Sequence, residues 1–269
     1  MARPAQDWIA SAVAITPGFE TSGDPYRAAV GDFDGMGISC GALQWNIGKG
    51  SLQPMVIAVG QAEVWALMPT FGQELWAACG TSVSRGLAIV RSWQSGTTLR
   101  ARPKAELQAL MGSPAMREQQ RIRIEAVAQR AFDRAAAWAS EAGRPAPSKR
   151  LFCWFFDIVT QNGGLEGLTP GRVSDFIRLN SPDRVDDLIC DFLATRAGPS
   201  GHITDAKKNG AAWRDTADAE KLEILCMSYL RSGTAAPRWR HVVLNRKGTI
   251  AMGKGWVNSA RWDFSAHGL

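Results

Sequence analysis

Residues 148–164 read SKRLFCWFFDIVTQNGG, and the apolar side chains of this stretch would cover almost every side of a helix. A helix that is apolar all round lies inside a protein rather than at its surface. The pair Gly163-Gly164 marks where this helix ends. The stretch therefore predicts a mainly α fold, of the α+β class, that is organised around one buried central helix.

The buried helix also carries polar residues. Trp154, Asp157 and Gln161 follow one another at spacings of three and four residues, so they share one face. Because buried polar groups must be paired, Asp157 is predicted to have a structural rather than a catalytic role.

Helical periodicity continues on both sides of this helix. It predicts helices over residues 7–15, 52–67, 72–79, 104–111 and 114–142. Ser181-Pro182-Asp183 marks a further helix start, with an N-cap, a proline at the first helical position and an acid in the first turn. Thr216 is predicted to cap another helix. The basic, glycine-rich stretch after Pro237 predicts turns and a small hairpin.

One loop interrupts this helical pattern. Residues 141–149 contain Gly143, Pro145 and Pro147, which are turn and loop formers. We predict a single domain over residues 1–269, with a hinge between two lobes near residues 143–148.

Residues 19–46, FETSGDPYRAAVGDFDGMGISCGALQWN, hold the candidate chemistry. Glu20 ends an apolar N-terminal helix, whereas Asp32 and Asp34 lie in a glycine-punctuated, β-like segment. Hydrolysis of a glycosidic bond requires such a pair of carboxyl groups, one to protonate the leaving oxygen and one to activate water. The apolar residues before Glu20 would favour its protonated form, and backbone amides would favour the ionised aspartates. Carboxylates in glycine-rich loops are, however, more often turn formers.

Residues 34–45, DGMGISCGALQW, resemble the active-site hairpin of the chitosanase-like branch of the lysozyme superfamily. Glu20 follows a phenylalanine, as the glutamate of that branch does. The resemblance implies that Glu20 is the general acid, that Asp34 is the general base and that Ser39 helps to hold the attacking water. Asp32 is the alternative base if the register is shifted by two residues. The interval from Glu20 to Asp34 is shorter than in chitosanases, and Ser39 replaces their usual threonine.

Two later segments extend the resemblance. Residues 155–164 are similar to the F-D-x-x-x-Q-N-G-G element of bacterial and phage peptidoglycan hydrolases of this superfamily, including lysozyme-like modules of type VI secretion spikes and effectors. Residues 240–264 are similar to their closing tail. The resemblance implies a two-lobed lysozyme-like fold with a small β-hairpin at the active site and a buried central helix.

Residues beside these motifs are the candidates for binding the substrate. Aromatic faces stack on sugar rings, and side-chain amides can bond to sugar hydroxyl or acetamido groups. The predicted substrate-binding residues are Asp32, Gln44, Trp45, Asn46, Gln161 and Asn162.

Charge distinguishes between possible polymers. The chain has 31 Lys and Arg against 25 Asp and Glu, which gives a net charge of +6. A basic surface attracts anionic polymers, and peptidoglycan is anionic whereas chitosan is a polycation. The sequence therefore predicts a muramidase that cleaves the β-1,4 bond between N-acetylmuramic acid and N-acetylglucosamine. The alternatives are a chitosanase or chitinase on the same scaffold and a non-catalytic wall-binding module. Nucleic acid is not an expected partner, because no binding motif accompanies the charge.

Targeting and cofactor signals are also informative. No run of about 18 apolar residues exists, so no transmembrane segment is expected, and the N-terminus lacks the pattern of a secretory signal. We expect a protein made in the cytoplasm that acts in the periplasm or on the wall of a target bacterium, with an immunity protein or a spike or phage component as possible partners. The five cysteines form no C-x-x-C pair, so neither a metal nor a cofactor is expected.

Overall fold

A computed structural model describes residues 2–20, 23–161, 163–214 and 216–269 of the chain. In chain order the α-helices are α1 (Gln6–Gly18), α2 (Gln53–Val59), α3 (Gln61–Leu67), α4 (Gly72–Cys79), α5 (Val83–Arg91), α6 (Ala101–Gly112), α7 (Pro114–Glu141), α8 (Lys149–Gln161), α9 (Pro170–Leu179), α10 (Val185–Ala194), α11 (Gly201–Ala212), α12 (Ala219–Ser232) and α13 (Arg240–Met252). The strands are β1 (Ala29–Val30), β2 (Ser39–Cys40), β3 (Trp45–Asn46), β4 (Gln94–Ser95), β5 (Thr98–Leu99), β6 (Lys254–Val257) and β7 (Ala260–Asp263). The prediction of a mainly α fold is confirmed.

The chain divides into two compact units. Residues 1–20 and 127–269 form one, here called the α8 unit, and residues 21–126 form the other, called the hairpin unit. Helix α7 contributes residues to both. The loop that the sequence predicted as a hinge lies within the α8 unit, where Arg144 pairs with Glu223 at 2.6 Å. The boundaries between the two units follow residues 20 and 126 and do not lie at residues 143–148.

Helix α8 is the centre of the α8 unit, as the sequence predicted. Its side chains from Leu151 to Ile158 are all buried. The Trp154 indole N–H donates to Ser228 on α12 at 2.9 Å, and Phe152 packs against Trp8 on α1 with ring centroids 5.7 Å apart. Each large apolar side chain buried here contributes roughly 1.5–3 kcal/mol, so α8 and the helices around it form the main core of this unit.

Two helix starts differ from their predictions. Ser181 has a left-handed backbone with φ of 66°, and α10 begins only at Val185. Asp218, not Thr216, caps α12, because its carboxylate accepts from the backbone N–H of Glu220. The Thr216 hydroxyl instead donates to the carbonyl of Trp213.

The stretch after Pro237 also differs, because its residues 240–252 form helix α13. Gly248, which suggested a turn, lies inside this helix, where a Cβ atom would come within 2.5 Å of the Trp213 ring. The glycine thus serves close packing rather than a change of direction. The predicted hairpin follows as β6 and β7, which turn through Asn258 and Ser259 in left-handed conformations.

The hairpin unit contains α2 to α6, the first part of α7 and two small sheets. The predicted helix over residues 52–67 is divided by Gly60, whose φ of 95° suits glycine. Strands β1, β2 and β3 form an antiparallel sheet, with Ser39 opposite Val30 on one side and Asn46 on the other. No helix among the described residues is long and apolar enough to cross a membrane.

Candidate functional site

Glu20 lies just after the C-terminus of α1, in the α8 unit. Its backbone N–H donates to the carbonyl of Pro17 at 2.9 Å. The preceding Phe19 is buried and packs edge-on against Trp262 and Phe264, with ring centroids 5.0 and 5.8 Å away. The apolar residues before Glu20 therefore fix the end of the helix and leave the glutamate side chain partly exposed.

The carboxylate of Glu20 has polar neighbours. Gln161 Nε2 and Arg246 Nη1 both donate to its Oε1, each at 2.9 Å. These donors contrast with the apolar setting that the sequence predicted for this carboxyl group, because the apolar side chains surround Phe19 instead. The structure does bring together Glu20 and Gln161, two of the predicted site residues. They line a cavity of about 270 Å³, with Val242, Val243, Arg246, Lys247, Val257 and Asn258 as its other lining residues.

A buried charge network holds Arg246 in place. Asp157, fully buried on α8, accepts from Arg246 Nε and from Lys247 Nζ, both at 2.8 Å. Arg246 also donates to the carbonyl of Thr16 at 2.8 Å. Its guanidinium thus contacts Asp157, Glu20 and the backbone of α1 at once, which fixes its position beside the Glu20 carboxylate.

The ionisation of this network follows from its charges. Burial raises the pKa of Asp157, but Arg246 and Lys247 outweigh burial and hold that pKa below its usual range. Burial is also the main reason that the pKa of Lys247 is lowered, and the positive charges of Arg246 and Arg231 add to it. Asp157 therefore has the structural role that the sequence predicted.

We expect Asp157→Asn to be strongly destabilising. The amide leaves Lys247 buried without a carboxylate, and breaking a buried ion pair costs about 3–5 kcal/mol. Thermal unfolding followed by circular dichroism should show a melting temperature lowered by on the order of 10 °C. Asp175→Asn is the matched control, since its pair with Arg178 is exposed and should contribute less than about 1 kcal/mol.

The double variant Asp157→Asn, Lys247→Met should recover part of this loss, because it removes the stranded charge. Equal melting temperatures for Asp157→Asn and Asp175→Asn would contradict the structural role of the network.

The second group of predicted residues lies in the hairpin unit. Asp32 and Asp34 follow β1 in the loop that leads to Ser39 on β2. Gly37 in this loop has φ of 85°, and a Cβ atom there would come within 2.7 Å of Leu87. Glycine is therefore required both by the backbone and by the packing.

The two aspartates of the loop have different surroundings. Asp32 Oδ1 accepts from the Gly37 N–H at 2.7 Å, and Oδ2 accepts from Arg91 Nε at 2.6 Å. Burial raises the pKa of Asp32, but these bonds outweigh it and hold that pKa below its usual range. Asp34 is exposed, and its carboxylate accepts from the backbone N–H of Met36 at 3.1 Å. Asp32 thus orders the loop, while Asp34 is the more accessible carboxylate.

Asp32→Asn should therefore lower stability at neutral pH. Loss of the charged acceptor for Arg91 is expected to cost about 1–2 kcal/mol, which corresponds to a melting temperature lower by roughly 2–6 °C. Because the folded-state pKa is depressed, the stabilisation by Asp32 exists above its ordinary value of 3.8 and is lost as the pH falls through the lower folded value. The gap between wild type and variant should therefore close in acid, and a gap that widens in acid would contradict this role.

The remaining predicted residues of this segment are either buried or bonded within the protein. Ser39, Trp45 and Asn46 are almost fully buried, at 2, 8 and 7% exposure. Asn46 Oδ1 accepts from the Lys49 N–H at 2.8 Å, and Gln44 Nε2 donates to the carbonyl of Gly41 at 3.0 Å. Their roles toward a substrate stay predictions. Asn162 lies outside the described residues.

Sequence reasoning missed several residues around these groups. Phe33, between the two aspartates, is 71% exposed. Gln120 is fully buried and accepts from the Ala42 N–H at 3.1 Å, which holds the turn between β2 and β3 against α7. Arg246 was part of the tail motif but had no predicted role. No sequence signal marks Phe33, because its exposure depends on the fold around the loop.

Cysteine chemistry is not supported at this site. All five cysteines are buried and free. Burial raises the pKa of Cys40 to about 12, and the Cys79 thiol adds to this effect. Cys40 therefore stays a protonated thiol at neutral pH. Within the described ranges, no group of three or more His, Cys, Asp or Glu residues is placed to hold a metal ion.

The chain was also compared with known proteins. No protein-family model, curated protein or solved structure matches it. The lysozyme-like fold and the family assignment thus rest on the sequence resemblance alone.

Proposed function

We propose that the protein is a peptidoglycan hydrolase of the muramidase type. One observation carries the proposal: the buried pair of Asp157 and Lys247 holds the partly buried Arg246, whose guanidinium ends at the accessible carboxylate of Glu20. Burying charged groups is unfavourable for stability unless their geometry is well satisfied. Strained or costly charge networks of this kind are concentrated at functional sites, and this one fixes the position of a single carboxyl group at the wall of a cavity.

The contacts of Glu20 suggest which oxygen carries the proton. Both donors, from Gln161 and Arg246, bond to Oε1. Within the described part of the chain, Oε2 accepts no hydrogen bond, so it is the oxygen free to hold a proton for the leaving group. Arg246 and Gln161 are positioning residues in this mechanism.

Asp34 is the proposed general base. It carries no guanidinium partner among the described residues, unlike Asp32, and it is exposed to water. Ser39 is the proposed second contact of the attacking water. Phe33 is exposed beside Asp34 and offers an aromatic face on which a sugar ring could stack.

The proposed substrate is the glycan strand of peptidoglycan, because the net charge of +6 suits an anionic polymer better than polycationic chitosan. The test is hydrolysis of purified sacculi, chitosan and colloidal chitin under one set of conditions, with the release of reducing sugar as the measurement. Faster release from sacculi supports the muramidase. Faster release from chitosan or chitin would favour an enzyme that acts on those polymers, and sacculi binding without release would favour a wall-binding module.

The stereochemistry of the first product is a separate prediction. If Asp34 activates water, the configuration at the anomeric carbon inverts. Proton NMR of the product released from a β-1,4 oligosaccharide of peptidoglycan should then show the α-anomer first. The β-anomer would indicate a covalent intermediate and would remove the role given to Ser39.

A further inference from the structure

The guanidinium of Arg240, in the α8 unit, packs against two aromatic rings and makes no hydrogen bond to the described residues. Its guanidinium carbon lies 4.4 Å from the ring centroid of Phe192 on α10 and 4.5 Å from that of Tyr229 on α12. Phe176 stacks on Tyr229 at 5.5 Å and Phe192 meets Tyr229 edge-on at 5.5 Å, so these rings support one another. Cation–π contacts of this kind fix the plane of the guanidinium.

The donors of Arg240 have no acceptor within the described residues. Its Nε is buried and unpaired, whereas its two Nη groups reach solvent. An unpaired buried donor is unfavourable, and a guanidinium is an obligatory donor with five N–H groups. The Nη groups are therefore available to an acceptor from outside the chain, whereas the buried Nε is not.

A second guanidinium shares the same aromatic ring. Arg196 lies 4.2 Å from the centroid of Phe192, and its Nε donates to the Phe192 carbonyl at 2.8 Å. The bond to the backbone fixes Arg196 and leaves its Nη groups available. The guanidinium groups of Arg196 and Arg240 thus both lie against the ring of Phe192.

The charges of this cluster are not balanced by the described part of the chain. Neither Arg196 nor Arg240 has a described carboxylate within ion-pair distance, and the first turn of α13 contains no acidic residue. His241 follows Arg240 in the chain: burial lowers the pKa of His241, and the charges of His202 and Arg196 lower it further. The surroundings of the two arginines therefore favour a bound anion.

We propose that Arg240 and Arg196 form a binding site for a phosphate group of an anionic ligand. Arginine matches phosphate through parallel N–H donors. Phosphate suits the site better than a carboxylate, because two guanidinium groups offer more donors than two carboxylate oxygens can accept, whereas a phosphate offers at least three oxygens. This site is distinct from that of Glu20 and does not depend on the hydrolase proposal.

Isothermal titration with inorganic phosphate and with poly(glycerol phosphate), in chloride buffer of constant ionic strength, tests the site. For each of the two ligands that the wild type binds, Arg240→Gln should raise the dissociation constant at least tenfold. Arg196→Gln should raise it by a smaller factor. Arg261→Gln is the matched control, because Arg261 is an exposed arginine of the same unit that lies 5.9 Å from the Trp256 ring. The Arg261→Gln variant loses the same charge and one cation–π contact. Its affinity for the phosphate ligand should stay within twofold of the wild-type affinity.

If both inorganic phosphate and the polymer saturate the site, a free phosphate is sufficient as the ligand. If only the polymer saturates it, the phosphate group must belong to a polymer. Equal weakening by Arg240→Gln and Arg261→Gln would overturn the site, since net charge alone would then explain binding, and so would the absence of saturable binding to either probe. If Arg240→Gln fails to fold, Arg240→Lys decides instead. Lysine keeps the positive charge but lacks the paired N–H donors of arginine. A loss of phosphate affinity larger than that of Arg261→Gln would therefore support the site, and an unchanged affinity would overturn it.

Discussion

Glu20→Gln is expected to lower the turnover of peptidoglycan about 100-fold or more, the usual effect of removing a general acid. The amide is nearly the same size as the carboxyl group, and its oxygen can still accept from Gln161 and Arg246. It cannot supply a proton to the leaving oxygen. Folding and binding to sacculi should therefore be preserved while the rate of bond cleavage falls.

The matched control for this change is Glu63→Gln, which makes the same replacement at an exposed position on α3. It should retain wild-type activity. If Glu20→Gln kept more than about a tenth of wild-type turnover, Glu20 would not be the proton donor.

Asp34→Asn is expected to be as damaging as the change at Glu20. The asparagine cannot take a proton from the attacking water, so kcat should fall about 100-fold or more while KM changes little. Ser39→Ala should have a smaller effect, because it removes one contact to the water rather than the base. The measurement is the initial rate of reducing-sugar release over a range of sacculus concentrations.

Asp32→Asn distinguishes between the two possible registers of the motif. Asp32 is tied to Arg91 and to the backbone of Gly37, so its replacement should lower the melting temperature more than it lowers kcat. Loss of activity in Asp32→Asn with activity retained in Asp34→Asn would assign the base to Asp32 instead.

Local patterns were enough to predict part of the fold. Helix α8 could be predicted because its composition is apolar on all sides, and such a helix can only be buried. Gly60, within a run predicted as one helix, divides α2 from α3 because its positive φ is incompatible with a continuous helix. Helix α13 was missed because its glycine suggested a turn. Gly248 in fact lies within the helix and provides space for Trp213. A single glycine does not indicate which of these two uses it has.

The site was predicted only where it depends on neighbours in sequence. The loop from Asp32 to Gly37 follows a local glycine pattern. By contrast, Asp157 bonds to Arg246 and Lys247 across 89 and 90 residues. No local signal specifies such a contact. A basic residue that neutralises a buried carboxylate has the same local sequence pattern as a basic residue on an exposed helix. Phe33 was missed because exposure depends on the fold around a loop.

The measurement that tests the central claim most directly is the identity of the new reducing end in purified sacculi. After digestion, the glycan fragments are reduced with borohydride, and their terminal sugars are identified by mass spectrometry. A muramidase that uses Glu20 and Asp34 should produce reduced N-acetylmuramic acid ends, and Glu20→Gln should not. Reduced N-acetylglucosamine ends, anhydro-muramic acid ends, or no new ends with the wild-type protein would contradict the proposed reaction.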